Sequence, residues 1–107
     1  MTETKTRRAG TRDEVLAILR ANETAIRALG ATALYLFGSA ARDEMTDASD
    51  VDLFIDYQRD GSLDYFKLCR IEEVVSGALD RDVDLTTREG LHQSLRARIE
   101  TTSVRVF

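Results

Sequence analysis

The chain has 107 residues, of which 43% are hydrophobic and 32% charged, with a formal net charge of −4. That length suits one domain with a single core and leaves no room for a second, and no stretch approaches the ~18 consecutive apolar residues of a membrane span. The acidic balance excludes a general basic field for holding a phosphate backbone, so no direct nucleic-acid binding is expected.

Lys5, Arg7 and Arg8 are not followed by the apolar run of a secretory signal. Residues 1–10 therefore read as a flexible polar lead, and residues 1–107 as a single cytoplasmic domain. Cys69, the one cysteine, excludes a disulfide framework and a thiolate metal site. Its apolar neighbours mark it as a buried structural thiol.

Thr11 and Glu14 have capping-box spacing, and apolar residues from Val15 to Leu29 recur at helical intervals until Gly30, so a helix is expected over 12–29. Residues 33–37, Ala-Leu-Tyr-Leu-Phe, form a nearly continuous apolar run, as in a strand covered on both faces. A polar stretch covers 42–49. Residues 50–56 alternate, with Val51, Leu53 and Ile55 opposed to Asp50, Asp52 and Phe54. Ser62 is the expected N-cap of a helix carrying Leu63, Phe66, Leu68, Ile71, Val74, Val75, Ala78 and Leu79. Alternation returns over 82–86. Thr86 and Glu89 repeat the capping-box spacing and predict a helix through Leu91, Leu95 and Ile99, before a terminal strand with Val104, Val106 and Phe107. The order αβ(α)βαβαβ is that of an α/β sheet covered by helices.

Asp50 and Asp52 share one strand face with Cα atoms about 6.7 Å apart, a spacing at which two carboxylates converge on one divalent ion or bracket two. Hard oxygen donors favour Mg²⁺ or Mn²⁺. On its own, Asp-x-Asp is more often a solvated sheet face. Gly38-Ser39, directly after an apolar strand, offers a bare backbone and a hydroxyl to a phosphate, at the start of a helix whose N-terminus attracts anions. Arg42 stands one turn further on with its planar donor fork. Asp84, on the polar side of the 82–86 segment, supplies a third carboxylate. Asp82 competes for that role, but it follows the Asp80-Arg81 turn. His92 has no second ligand at metal spacing and is read as a surface residue in the last helix. Asp56 is about 13 Å along the strand from Asp52 and is read as a strand-end polar group. Tyr35, Tyr57 and Tyr65 are read as packing residues.

Leu36-Phe37-Gly38-Ser39-Ala40-Ala41-Arg42, Ser49-Asp50-Val51-Asp52-Leu53 and Val83-Asp84-Leu85 together resemble the signature of the DNA polymerase beta-like nucleotidyltransferases, and within them the minimal nucleotidyltransferase (MNT) antitoxins. The resemblance spans residues 34 to 86. It implies a small mixed sheet with packed helices, ATP as substrate, and two Mg²⁺ ions held by Asp50, Asp52 and Asp84. It also implies a triphosphate held by Gly38 and Ser39, with Arg42 as a phosphate contact. Asp43 departs from the pattern, which usually has glycine there. MNT antitoxins pair with HEPN-domain ribonuclease toxins, so the resemblance implies transfer of AMP to a tyrosine of such a toxin within a hetero-oligomeric complex. Two alternatives stand beside that reading: a purely steric antitoxin, and a nucleotidyltransferase with a small-molecule acceptor such as an aminoglycoside.

Overall fold

Thr11 opens the first helix with the capping box its sequence encodes. Its hydroxyl accepts from the Glu14 amide at 3.2 Å, and the Glu14 carboxylate accepts from the Thr11 amide at 3.1 Å. The computed structural model describes residues 8–107. Lys5 and Arg7 lie outside the described residues. The expected flexible lead is corrected for its last part, because Ala9 is buried and its amide donates to the Leu79 carbonyl at 3.1 Å.

The single helix expected over 12–29 is two: α1 (Arg12–Ala21) and α2 (Glu23–Ala28). Asn22 separates them. Its side-chain amide donates to the Ile18 carbonyl at 2.8 Å, an alternative to the helical ladder that Asn readily takes. The chain continues as β1 (Ala31–Phe37), α3 (Gly38–Ala41), β2 (Val51–Tyr57), α4 (Tyr65–Leu79), β3 (Val83–Thr87), a 3₁₀ turn (Arg88–Gly90), α5 (Arg96–Thr102) and β4 (Val104–Arg105). Asp64, not Ser62, caps α4, accepting from the Lys67 amide at 2.8 Å. Ser62 is held back in a turn in which its own amide donates to Asp60 at 2.9 Å.

The helix predicted from Thr86 is also shorter than expected. Thr87 caps the 3₁₀ turn, accepting from the Gly90 amide at 3.2 Å, and Leu91 turns inward to 7% exposure. Gly90 lies so close to the Thr86 hydroxyl that a Cβ would stand 2.1 Å from it. Leu91 itself has extended backbone (φ −64°, ψ 142°), so the helix ends there. His92 consequently precedes α5, exposed, with its ring nitrogen 2.7 Å from the Ser94 hydroxyl.

The four strands form one mixed sheet in the order β3-β2-β1-β4, with β2 and β3 parallel and the other neighbours antiparallel. The parallel pair is joined through α4, the crossover that parallel strands require. One face carries Leu34, Leu36, Val51, Leu53 and Ile55, packed with Val15, Leu19, Ile71, Val75 and Leu79 of α1 and α4. Each such aliphatic side chain, fully buried, stabilises the fold by roughly 1.5–3 kcal/mol.

Two expectations for α4 are corrected, Phe66 as part of its apolar face and Tyr65 as a packing residue. Tyr65 and Phe66 are 74% and 81% exposed. Phe66 sits five residues before Ile71, roughly 140° around the helix from it, and so misses the buried stripe. Cys69 is half-buried. No helix among the described residues is long and apolar enough to cross a membrane.

Candidate active site

The second face of the sheet bears the polar residues in rows set by strand register. At one end, Phe37, Asp52 and Asp84 are successive partners across β1, β2 and β3. The next row is Tyr35, Phe54 and Thr86, and beyond it Asp56 lies opposite Ala33. Parallel pairing of β2 with β3 thus brings Asp84, thirty-two residues further along the chain, beside Asp52 on the same face. Asp50 lies just before β2, exposed, two residues from Asp52.

Gly38 shapes this end of the sheet. Its φ of +71° is one that L side chains rarely adopt, and a Cβ there would stand 2.2 Å from Oδ2 of Asp52. The half-buried Ser39 follows it into α3. The helix-terminus attraction expected for Ala40-Ala41-Arg42 is modest in a helix of four residues, which has few aligned peptide dipoles to sum. Arg42 is exposed, and its Nε donates to Glu44 at 2.8 Å.

Asp43 resolves the one departure from the motif. It adopts the left-handed conformation with φ of 58°, as a glycine would, and its carboxylate accepts from the Arg12 amide at 2.8 Å. Its charge therefore serves the N-terminus of α1.

The loop ahead of Asp50 is fixed by Arg81, a role the sequence did not signal. Arg81 is 6% exposed. Its guanidinium donates to the carbonyls of Ala9, Thr46 and Ser49, the last two at 2.9 and 3.0 Å. Removing a buried charge-assisted hydrogen bond of this kind costs about 1.5–3 kcal/mol.

Asp52 is half-buried, and its carboxyl pKa lies above the usual value. Burial is the main cause, followed by the charges of Asp84 and Asp50, with Arg42 opposing. Asp56 has the reverse character. Arg88 grips it with two bonds of 2.7 and 2.8 Å and holds its pKa below the usual value. The same guanidinium bonds Glu100 at 2.6 Å and lies 4.9 Å from the ring centres of Tyr35 and Phe54. Arg88 is thus the clamp that closes α5 over the sheet, and no motif in the sequence pointed to it.

Opposite stability effects follow for two aspartates on one strand face. Because the fold favours protonated Asp52, its charge costs stability once pH has risen through its folded pKa. Asp52→Asn is therefore expected to raise the melting temperature of chelator-treated protein at neutral pH. Asp56 contributes stability above its unfolded pKa and loses it as pH falls through the lower folded value. Asp56→Asn is expected to lower the melting temperature at neutral pH, with the deficit vanishing in strong acid. Thermal melts of both variants across pH check the pair of signs.

Among the described residues, no three His, Cys, Asp or Glu side chains stand together in a geometry that could hold a metal ion. The donor chemistry nevertheless fits a hard divalent cation. Two carboxylates are register partners across neighbouring strands, burial and then the like charges of Asp84 and Asp50 raise the pKa of Asp52, and Asp50 and Asp84 are exposed.

Residues 15–106 match the nucleotidyltransferase domain. The chain belongs to that family. It is therefore a nucleotidyltransferase, an enzyme that moves a nucleotide from a nucleoside triphosphate to an acceptor. A relative from Methanocaldococcus jannaschii, provisionally named a protein adenylyltransferase, is 36% identical over 83 residues, 77% of this chain and 83% of its own. The protein adenylyltransferase MntA of Thermococcus cleftensis is 31% identical over 86 residues, covering 79% of this chain and 85% of its own. A chain from the solved complex of a tri-AMPylated Shewanella oneidensis HEPN toxin with its MNT antitoxin superposes with a TM-score of 0.60 at 20% identity. The match covers 86% of this nucleotidyltransferase and 71% of that chain. At that identity the likeness is one of fold.

Proposed function

We propose that this nucleotidyltransferase is the antitoxin of a toxin–antitoxin pair, and that it transfers AMP from ATP to a tyrosine hydroxyl of a HEPN ribonuclease toxin. The observation that carries the reading is the row formed by Asp52 and Asp84 beside Gly38, in a chain that matches MntA over most of its length. In this reading Asp50, Asp52 and Asp84 hold Mg²⁺ or Mn²⁺, Gly38 and Ser39 receive the triphosphate, and Arg42 contacts a phosphate. Two bound divalent ions supply positive charge to the attacking and leaving oxygens of an in-line displacement.

The residues of the chain do the positioning. Gly38 lets the polyphosphate approach the backbone beside Asp52, because nothing projects from its Cα. Arg81 fixes the loop that delivers Asp50, and register with β2 delivers Asp84. The tyrosine oxygen forms a bond to the α-phosphorus, and the bond from that phosphorus to the bridging oxygen breaks. Its electron pair leaves with pyrophosphate, and the tyrosine proton passes to solvent.

The test is labelling with ATP carrying its label on the α- or the γ-phosphate. Label from the α-phosphate is expected on the toxin, and it should disappear when the acceptor tyrosine is replaced by Phe. Label from the γ-phosphate alone would contradict nucleotidyl transfer. A steric antitoxin would draw on surface rather than chemistry, and the exposed aromatic pair Tyr65 and Phe66 offers such surface. Full protection of cells by an Asp50→Asn/Asp52→Asn double variant would favour that alternative.

A further inference from the structure

Gly38 borders two regions of opposite character. It abuts the Asp52 carboxylate. It also lines a cleft of about 200 Å³ whose lining includes Phe37, Arg42, Leu95, Arg98 and Ile99, and no acidic residue. A smaller adjoining cleft is again lined by Gly38, Arg42 and Arg98. In a chain of net charge −4 this is a local concentration of positive charge in a concave site, where field lines focus on an anion.

Arg98 stands apart from the other arginines of its neighbourhood. Arg96 pairs with Glu100 at 3.7 Å, Arg88 bonds both Asp56 and Glu100, and Arg42 bonds Glu44. Among the described residues the Arg98 guanidinium has no hydrogen-bond or ion-pair partner, although it lines both clefts. Its helix is not free to drift. The Arg88 clamp holds α5 through Glu100, two residues from Arg98, and Ile99 is half-buried. The guanidinium is therefore presented by a tethered helix, with its donors unspent.

We propose that Arg98, with Arg42, binds the β- and γ-phosphates of the nucleoside triphosphate in the cleft beside Gly38 and retains the pyrophosphate until it departs. The inference rests on the nucleotidyl-transfer reading of the same site and adds to it a positioning residue from the last helix. The direction of the triphosphate follows from charge. The α-phosphate, where the acceptor attacks, belongs beside the Asp52 carboxylate. The most anionic part of the substrate belongs in the cleft that two arginines line and no carboxylate does, whereas the uncharged nucleoside gains least there.

Titration calorimetry of the full chain with ATP and with AMP, in the presence of Mg²⁺, tests this. Arg98→Ala is expected to weaken ATP about tenfold and leave AMP unchanged, Arg98→Lys to restore part of the loss, and product inhibition by pyrophosphate to weaken in parallel. Arg98 is exposed, so the substitution does not threaten the fold. Equal weakening of ATP and AMP would place Arg98 against the nucleoside and overturn the assignment. Unchanged ATP affinity in Arg98→Ala, with the unmodified chain binding ATP, would overturn this inference alone. Failure of the unmodified chain to bind ATP would overturn the transfer reading with it.

Discussion

Replacing Asp52 by Asn is expected to reduce nucleotidyl transfer by about a thousandfold while leaving the protein folded and, without metal, more stable. Both halves of the expectation come from one local fact. Asp52 is half-buried, its neighbours Asp84 and Asp50 carry the same charge, and only Arg42 offsets them. Like charges gathered without compensation destabilise the fold, and they serve it only when a cation joins them. Asn keeps the shape and hydrogen-bonding capacity of the side chain but removes the charge. Loss of transfer with a raised melting temperature distinguishes a functional carboxylate from a structural one. Asp56 is the internal control: it lies on the same strand face and has its partner in Arg88, so its substitution costs stability.

Gly38→Ala is expected to reduce transfer by about a hundredfold and to lower the melting temperature as well. The left-handed backbone at φ +71° costs a non-glycine residue roughly 1–2 kcal/mol. The larger effect is steric, since the added Cβ would lie 2.2 Å from Oδ2 of Asp52 and must displace it. Moving a reacting group by about 1 Å is enough for a hundredfold loss. Gly61→Ala separates the two contributions. Gly61 has φ +83°, but a Cβ added there would meet nothing within 4 Å, so that variant should show the backbone strain and retain activity. Equal loss of activity in both variants would mean that strain, not the approach to Asp52, is what Gly38 relieves.

The sheet and the candidate site were legible because their signals are local and periodic. Alternation through Val51, Leu53 and Ile55 fixed which face Asp52 takes, and the glycine after Phe37 marked the end of β1. Pairing of Asp52 with Asp84 was implied by the resemblance and agrees with the register. What escaped depends on contacts between distant residues. Asn22 breaks a helix whose apolar spacing continues past it, because its side chain bonds the Ile18 carbonyl. Leu91 fits a helical stripe and instead takes extended backbone and turns into the protein. Arg81 and Arg88 look in sequence like any surface arginine. Their partners lie between 12 and 72 residues away, and only the folded chain shows one fixing the loop before Asp50 and the other closing α5. Asp43 is the intermediate case: its tolerance of a left-handed backbone could be anticipated, but its bond to the Arg12 amide could not.

The most direct test of the proposed protein adenylylation is the intact mass of the proposed HEPN toxin partner after incubation with this chain, ATP and Mg²⁺. Mass gains in whole AMP units are expected, borne on tyrosine, absent when Mg²⁺ is chelated and absent with Asp52→Asn. Neutralisation of the toxin with no change in its mass would contradict the proposed transfer.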